Sequence, residues 1–151
     1  MSAPELRSVL VVGTGLIGAS VGLALRARGV EVYLQDVDAA VLAEAAERGA
    51  GLPGGAHGPV DLAVVAVPPQ RVADVVRSLL DDDRVRAVTD VASVKTPIAA
   101  AVAPHPRASV YVGGHPMAGR EVSGPAGARA DLFRGRSWVL CPGESTLSDG
   151  E

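Results

Sequence analysis

Short, wholly apolar runs alternate along this chain with stretches whose apolar residues recur at helical spacing. A continuous apolar run is what a strand shows when both of its faces are covered, as in a parallel sheet. The runs predict strands near 7–12, 31–35, 61–67, 86–90, 109–113 and 137–141. Between them the pattern predicts helices near 16–28, from an Asp38 cap to about Arg48, near 70–80, and from Thr96-Pro97 to just before Pro104. Gly29 and Gly49 suit the residue after a helix end. Residues 49–60 carry too much Gly and Pro for a full helix, so any strand there must be short. Alternating strands and helices imply an α/β domain with a doubly wound, mainly parallel sheet.

The most informative junction joins the first strand to the first helix. Val9-Leu10-Val11-Val12 runs directly into Gly13-Thr14-Gly15-Leu16-Ile17-Gly18, and the second strand ends just before Asp36. A lone G-x-G-x-x-G is weak evidence. One that follows a strand, opens a helix and has an acidic residue about 20 positions on is the dinucleotide-binding fingerprint of a Rossmann-type fold. Gly13 lets the chain turn off the strand, Gly15 lets backbone approach a pyrophosphate, and Gly18 lets the helix pack closely. The helix N-terminus then faces the phosphates. Asp36 is expected to accept from the adenosine ribose hydroxyls. A 2′-phosphate beside it would cost about 4 kcal/mol at 4 Å and an effective dielectric near 20, so NAD is expected rather than NADP. The cofactor set is Gly13, Gly15, Leu16, Ile17, Gly18, Asp36, Val67 and Pro68. Pro68-Pro69 either ends its strand or forms a rigid wall beside the dinucleotide.

Composition narrows the rest. A chain of 151 residues, 48% hydrophobic and 3% aromatic, fits one domain with an aliphatic core. No apolar run approaches the roughly 18 residues of a membrane span, and Met1 to Arg7 shows no signal-peptide pattern. Cys141 is the single cysteine, which precludes an internal disulfide or a cysteine-rich metal site. A cytoplasmic location is expected, with no metal. A net charge of −3 with scattered arginines argues against nucleic acid. The acidic turn Asp81-Asp82-Asp83 reads as solvated surface, as do His57 and His105.

Of the 14 basic residues only Lys95 is lysine. That is either chance in an arginine-biased chain or a place that needs a compact ammonium. It lies in Thr89-Asp90-Val91-Ala92-Ser93-Val94-Lys95, at the end of and just after the strand expected near 86–90. The next strand carries Gly114-His115-Pro116 at its expected tip. Ligands of open parallel sheets bind at the carboxyl ends of the strands, so Ser93 and His115 are expected within hydrogen-bond reach there. A neutral imidazole beside a nicotinamide can take a hydroxyl proton while a serine fixes its tautomer. A serine hydrolase is excluded by the lack of a G-x-S-x-G elbow.

These three segments together are similar to the prephenate/arogenate dehydrogenase family: residues 12–20 (VGTGLIGAS), 90–95 (DVASVK) and 113–119 (GGHPMAG), with Glu121 and Ser123-Gly124 following. The resemblance covers residues from about 7 to 142. It implies NAD-dependent oxidative decarboxylation of prephenate to 4-hydroxyphenylpyruvate, on the route to tyrosine. His115 would be the acid-base group and Ser93 its partner. Lys95, Glu121 and Gly114 would lie at the substrate. Arogenate is the alternative substrate. In the family a helical domain follows, forms the dimer and adds an arginine for a substrate carboxylate. This chain has no such segment, so it is expected to be a dinucleotide-binding domain, shortened at its C-terminal end, of a longer homodimeric enzyme, or else an inert NAD-binding module.

Overall fold

The protein, seen here as a computed structural model, is described over residues 5–117 and 124–142. Seven strands form one sheet: β1 (Ser8–Val12), β2 (Glu31–Gln35), β3 (Leu52–Pro53), β4 (Leu62–Val65), β5 (Val88–Asp90), β6 (Tyr111–Pro116) and β7 (Trp138–Cys141). Their order across the sheet is β3-β2-β1-β4-β5-β6-β7, parallel except for β7, which runs antiparallel to β6. The chain reverses its direction of travel between β1 and β4, so the switch point of the doubly wound sheet falls beside the glycine turn.

Strand alternation divides the core. Val9 and Val11 of β1 join Val32, Leu34 and Val64 under α1 (Leu16–Arg26) and α2 (Ala39–Glu47). Leu10 and Val12 join Ala63 and Val65 under α3 (Pro69–Leu80) and α4 (Thr96–Val102). Because successive side chains point to opposite faces, Val9 to Val12 of β1 and all of β4, at the middle of the sheet, had to be apolar throughout. Asp38 caps α2 by accepting from the N–H groups of Ala40 and Val41. Gly29 and Gly49 take positive φ after their helices, as expected.

Several boundaries differ from the sequence reading. The strand expected over 61–67 spans only Leu62–Val65, so Ala66 and Val67 already belong to the crossover loop. The first helix ends at Arg26, and β5 begins at Val88 rather than at 86. Helix α3 begins at Pro69, whose fixed φ and missing N–H suit a first helical position. Thr96 is the first residue of α4 rather than its cap; Lys95 occupies the cap position with no side-chain bond to the helix.

The largest difference concerns β6. A strand near 109–113 with His115 at its tip was expected, whereas the strand runs Tyr111–Pro116 and contains His115. Pairing with β5 ends at Thr89↔Val112, and β7 takes over from Gly113↔Cys141 to Pro116↔Trp138. Backbone groups of residues 113–116 thus find partners far along the chain, which no local pattern announces. His105, expected on the surface, is largely covered: its side chain is 12% exposed and its Nε2 lies 2.7 Å from Asp81 Oδ1.

Candidate active site

The carboxyl ends of β1, β2, β4 and β5, with β6, border a cleft of about 1200 Å³, somewhat above the usual range of ligand sites. Register explains why these residues meet. Gln35, Val12, Val65 and Asp90 are aligned on one rung of the sheet. The chain leaves that rung through Asp36 on β2, Gly13 on β1, and Val67-Pro68 after β4. Four strand spacings of about 4.8 Å separate β2 from β6, about 19 Å across the cleft.

At its centre lies the glycine turn. Gly13 has φ +96°, and a Cβ there would come within 2.5 Å of the Ala66 carbonyl oxygen. A Cβ on Gly18 would lie 1.8 Å from the Gly13 carbonyl oxygen, so this glycine packs α1 against the turn itself. Gly15 differs: nothing lies within 4 Å of its Cβ position, because that position faces the open cleft. The first N–H groups of α1, which no helical carbonyl can satisfy, are adjacent. A bare turn with free donors and space above it fits a pyrophosphate.

At one end stands Asp36. Its Oδ2 accepts from the Thr14 N–H at 2.7 Å and the Thr14 hydroxyl at 2.9 Å, and its Oδ1 accepts from the Asp38 N–H at 2.8 Å. Thr14 is fully buried. The carboxylate is therefore fixed in direction while remaining on the cleft wall. Arg71, Asp74 and Ser78 of α3 also line the cleft. Sequence reasoning missed them, though their spacing of three and four residues along α3 places them on one helical face.

At the other end Ser93 and His115 both line the cleft. Ser93 is exposed on the turn after β5, and His115 is half-buried in β6. Among the described residues no side-chain hydrogen bond joins them. Ser93 occupies a turn one strand away, whereas His115 is held by its ladder to Val139. Leu16, Ile17, Val67 and Pro68 also line the cleft; Lys95, Gly18 and Gly114 stand behind it. Lys95 Nζ lies 2.6 Å from Asp90 Oδ2, a buried carboxylate. Gly114 donates its N–H to Asp90 Oδ1 at 3.2 Å. Glu121 lies outside the described residues, as does Ser123.

No helix among the described residues is long and apolar enough to cross a membrane, and no group of three or more His, Cys, Asp or Glu that could hold a metal occurs among them.

Comparison with known proteins agrees with this fold. A probable prephenate dehydrogenase, NovF, of Streptomyces niveus is 45% identical over 142 residues, which is 93% of this chain and 39% of that protein. A prephenate dehydrogenase of Bacillus subtilis is 29% identical, over 92% of this chain and 40% of that protein. The chain thus spans about two fifths of the length of the curated relatives it matches. Among solved structures, Synechocystis arogenate dehydrogenase is 33% identical with a TM-score of 0.78, over 92% of this chain and 51% of its own. An A. aeolicus prephenate dehydrogenase, solved with hydroxyphenyl propionate and NAD+, superposes with a TM-score of 0.85 at 24% identity, over 98% of this chain and 55% of its own, a likeness of fold. The family model described as "Prephenate dehydrogenase, nucleotide-binding domain" matches residues 21–149, beyond the glycine turn. With the turn, the switch point and that match together, the chain belongs to the prephenate dehydrogenase nucleotide-binding-domain family.

Proposed function

We propose that this domain binds NAD and forms the cofactor half of an enzyme that oxidatively decarboxylates prephenate to 4-hydroxyphenylpyruvate. One observation carries the reading: a single cleft has a bare glycine turn at its centre, a fixed carboxylate at one end, and a serine with a histidine at the other. Gly13, Gly15 and the first turn of α1 would cradle the pyrophosphate, Asp36 would hold the adenosine ribose, and Val67-Pro68 would flank the dinucleotide. When bound, NAD supplies the hydride acceptor.

His115 accepts the proton of the substrate's ring hydroxyl, since a neutral imidazole is a base suited to neutral pH. Ser93 hydrogen-bonds that hydroxyl and keeps it aimed at the ring nitrogen. Loss of carbon dioxide with aromatisation supplies most of the driving force. Glu121 is assigned to the substrate by the family resemblance alone, and Lys95 supports the Ser93 turn. The relatives are more than twice as long as the matched segment. We therefore assign the grip on the substrate carboxylates, and pairing into a homodimer, to segments outside this domain. A cytoplasmic enzyme fits this chemistry.

The test is His115→Asn in the full-length protein. Turnover should fall by about 10²–10⁴, with the NAD dissociation constant unchanged within about twofold. Parallel loss of NAD affinity would refute the role. Arogenate is the second reading, supported by the 33% identical Synechocystis enzyme; initial rates of NADH formation with each substrate decide between them.

A further inference from the structure

Asp90 has no exposed surface, and each of its two carboxylate oxygens is used twice. Oδ2 accepts from Lys95 Nζ at 2.6 Å and from the Ala92 N–H at 3.1 Å. Oδ1 accepts from the Tyr111 hydroxyl at 2.9 Å and from the Gly114 N–H at 3.2 Å. The division follows the topology. One oxygen serves only the loop between β5 and α4, which carries Ser93. The other serves only β6, which carries His115.

We propose that Asp90 is a positioning residue: its carboxylate, neutralised by Lys95, fastens the Ser93 turn to the His115 strand and so sets how the two reactive side chains meet. This rests on the reading of Ser93 and His115 as the reactive end of the cleft. A charged carboxylate is needed because only it can accept on both oxygens. A buried charge without a partner is strongly unfavourable. Lys95 is therefore the counter-ion, and it acts on the substrate through Asp90.

The two glycines before His115 belong to the same device. A Cβ on Gly113 would lie 3.2 Å from the Tyr111 hydroxyl, 3.3 Å from Lys95 Cδ and 3.5 Å from Asp90 Oδ1. On Gly114 it would lie 2.7 Å from the Asp90 carbonyl oxygen. Both positions are small because β6 must come up against Asp90. The arrangement also accounts for the single lysine of an arginine-rich chain. A guanidinium is larger and planar, and the space between Gly113 and Asp90 is narrow.

The experiment compares Asp90→Asn, Lys95→Met and the double variant in the full-length protein. Asn presents an NH₂ where two donors already point, so turnover should fall at least tenfold. The NAD dissociation constant should stay within twofold, because the glycine turn is untouched. The double variant, which has neither charge, should recover at least threefold over Asp90→Asn. In ¹⁵N-labelled protein the Gly114 amide proton should move upfield in Asp90→Asn. Turnover within twofold of wild type in Asp90→Asn, or a double variant no better than the single one, would overturn the proposal. If Asp90→Asn does not fold, Gly113→Ala decides. It should lower turnover and shift the Gly114 amide with NAD affinity retained, and an unchanged amide and rate would overturn the proposal. Failure of the wild type to reduce NAD with prephenate or arogenate would instead count against the proposed function, while the Gly114 shift would still report on the fastening.

Discussion

Thr14 gives both of its donors to a single oxygen of Asp36, the backbone N–H at 2.7 Å and the hydroxyl at 2.9 Å. The second residue of the glycine turn is thereby tied to the acid at the end of β2, which holds the two parts of the proposed nucleotide site together. A hydrogen bond to a charged group is worth about 1.5–3 kcal/mol net. Thr14→Val keeps the shape and removes only the hydroxyl. It should lower unfolding free energy in urea by about 1.5 kcal/mol and weaken NAD binding severalfold. An unchanged midpoint and affinity would show the hydroxyl bond to be idle.

Asp36 should also decide between the two nicotinamide cofactors. In the proposed binding mode a ribose 2′-phosphate would meet its carboxylate, and Asp38, whose N–H donates to it, adds charge nearby. Asp36→Ser removes the repulsion and the ribose acceptor together. NAD affinity should drop about tenfold while NADP affinity rises, as the proposed charge-assisted contact to the ribose is lost. Paired titrations with both cofactors measure the ratio. A variant that still prefers NAD by the wild-type margin would remove Asp36 from this role.

Two glycines of the turn should separate binding from stability. Gly15→Ala places a methyl group in open space, so the thermal midpoint should change by no more than about 2 °C. In the proposed binding mode the same methyl would meet the pyrophosphate, and NAD affinity should fall at least tenfold. Gly18→Ala drives a Cβ into the Gly13 carbonyl at 1.8 Å, so the protein itself should be destabilised by more than about 3 kcal/mol. Calorimetry beside a cofactor titration tells the two apart. Equal effects at both positions would contradict this geometry.

Stability should fall on the alkaline side because of Tyr111. Its phenol is pushed far above the ordinary range, first by burial, then by the Asp90 charge and the hydrogen bond to it. A group with a raised folded pKa contributes stability that is complete below its unfolded value, about 10 for tyrosine, and fades as pH rises beyond it. The slope for one such group approaches about 1.4 kcal/mol per pH unit. Tyr111→Phe should flatten that limb between about pH 10 and 12, read from urea midpoints at each pH. Asp61 works in the opposite direction. The N–H groups of Arg7 and Ser8 hold it below the usual carboxylate range; burial opposes them less strongly, and nearby arginine charge adds a still smaller pull downward. Its contribution is present above about pH 4 and fades as pH falls, and Asp61→Asn should soften the acid limb.

Much of this protein was legible in one dimension because its information is local. Val9 to Val12 needed to be apolar on both faces, and Gly13 needed a positive φ. Asp38 needed to accept from the next helical N–H groups. Each is a demand that neighbouring residues make on one another, so the central strands, the Asp38 cap and the glycine turn follow from order and spacing alone. The role of Asp90 was not legible, nor the extension of β6 through His115, nor the cover over His105. Asp90 collects donors from residues up to 24 positions away, and β6 is completed by a strand that begins at Trp138. Partners so distant in the chain leave no periodic trace. Only the packed sheet, by bringing separate segments to one edge, assigned those residues their neighbours.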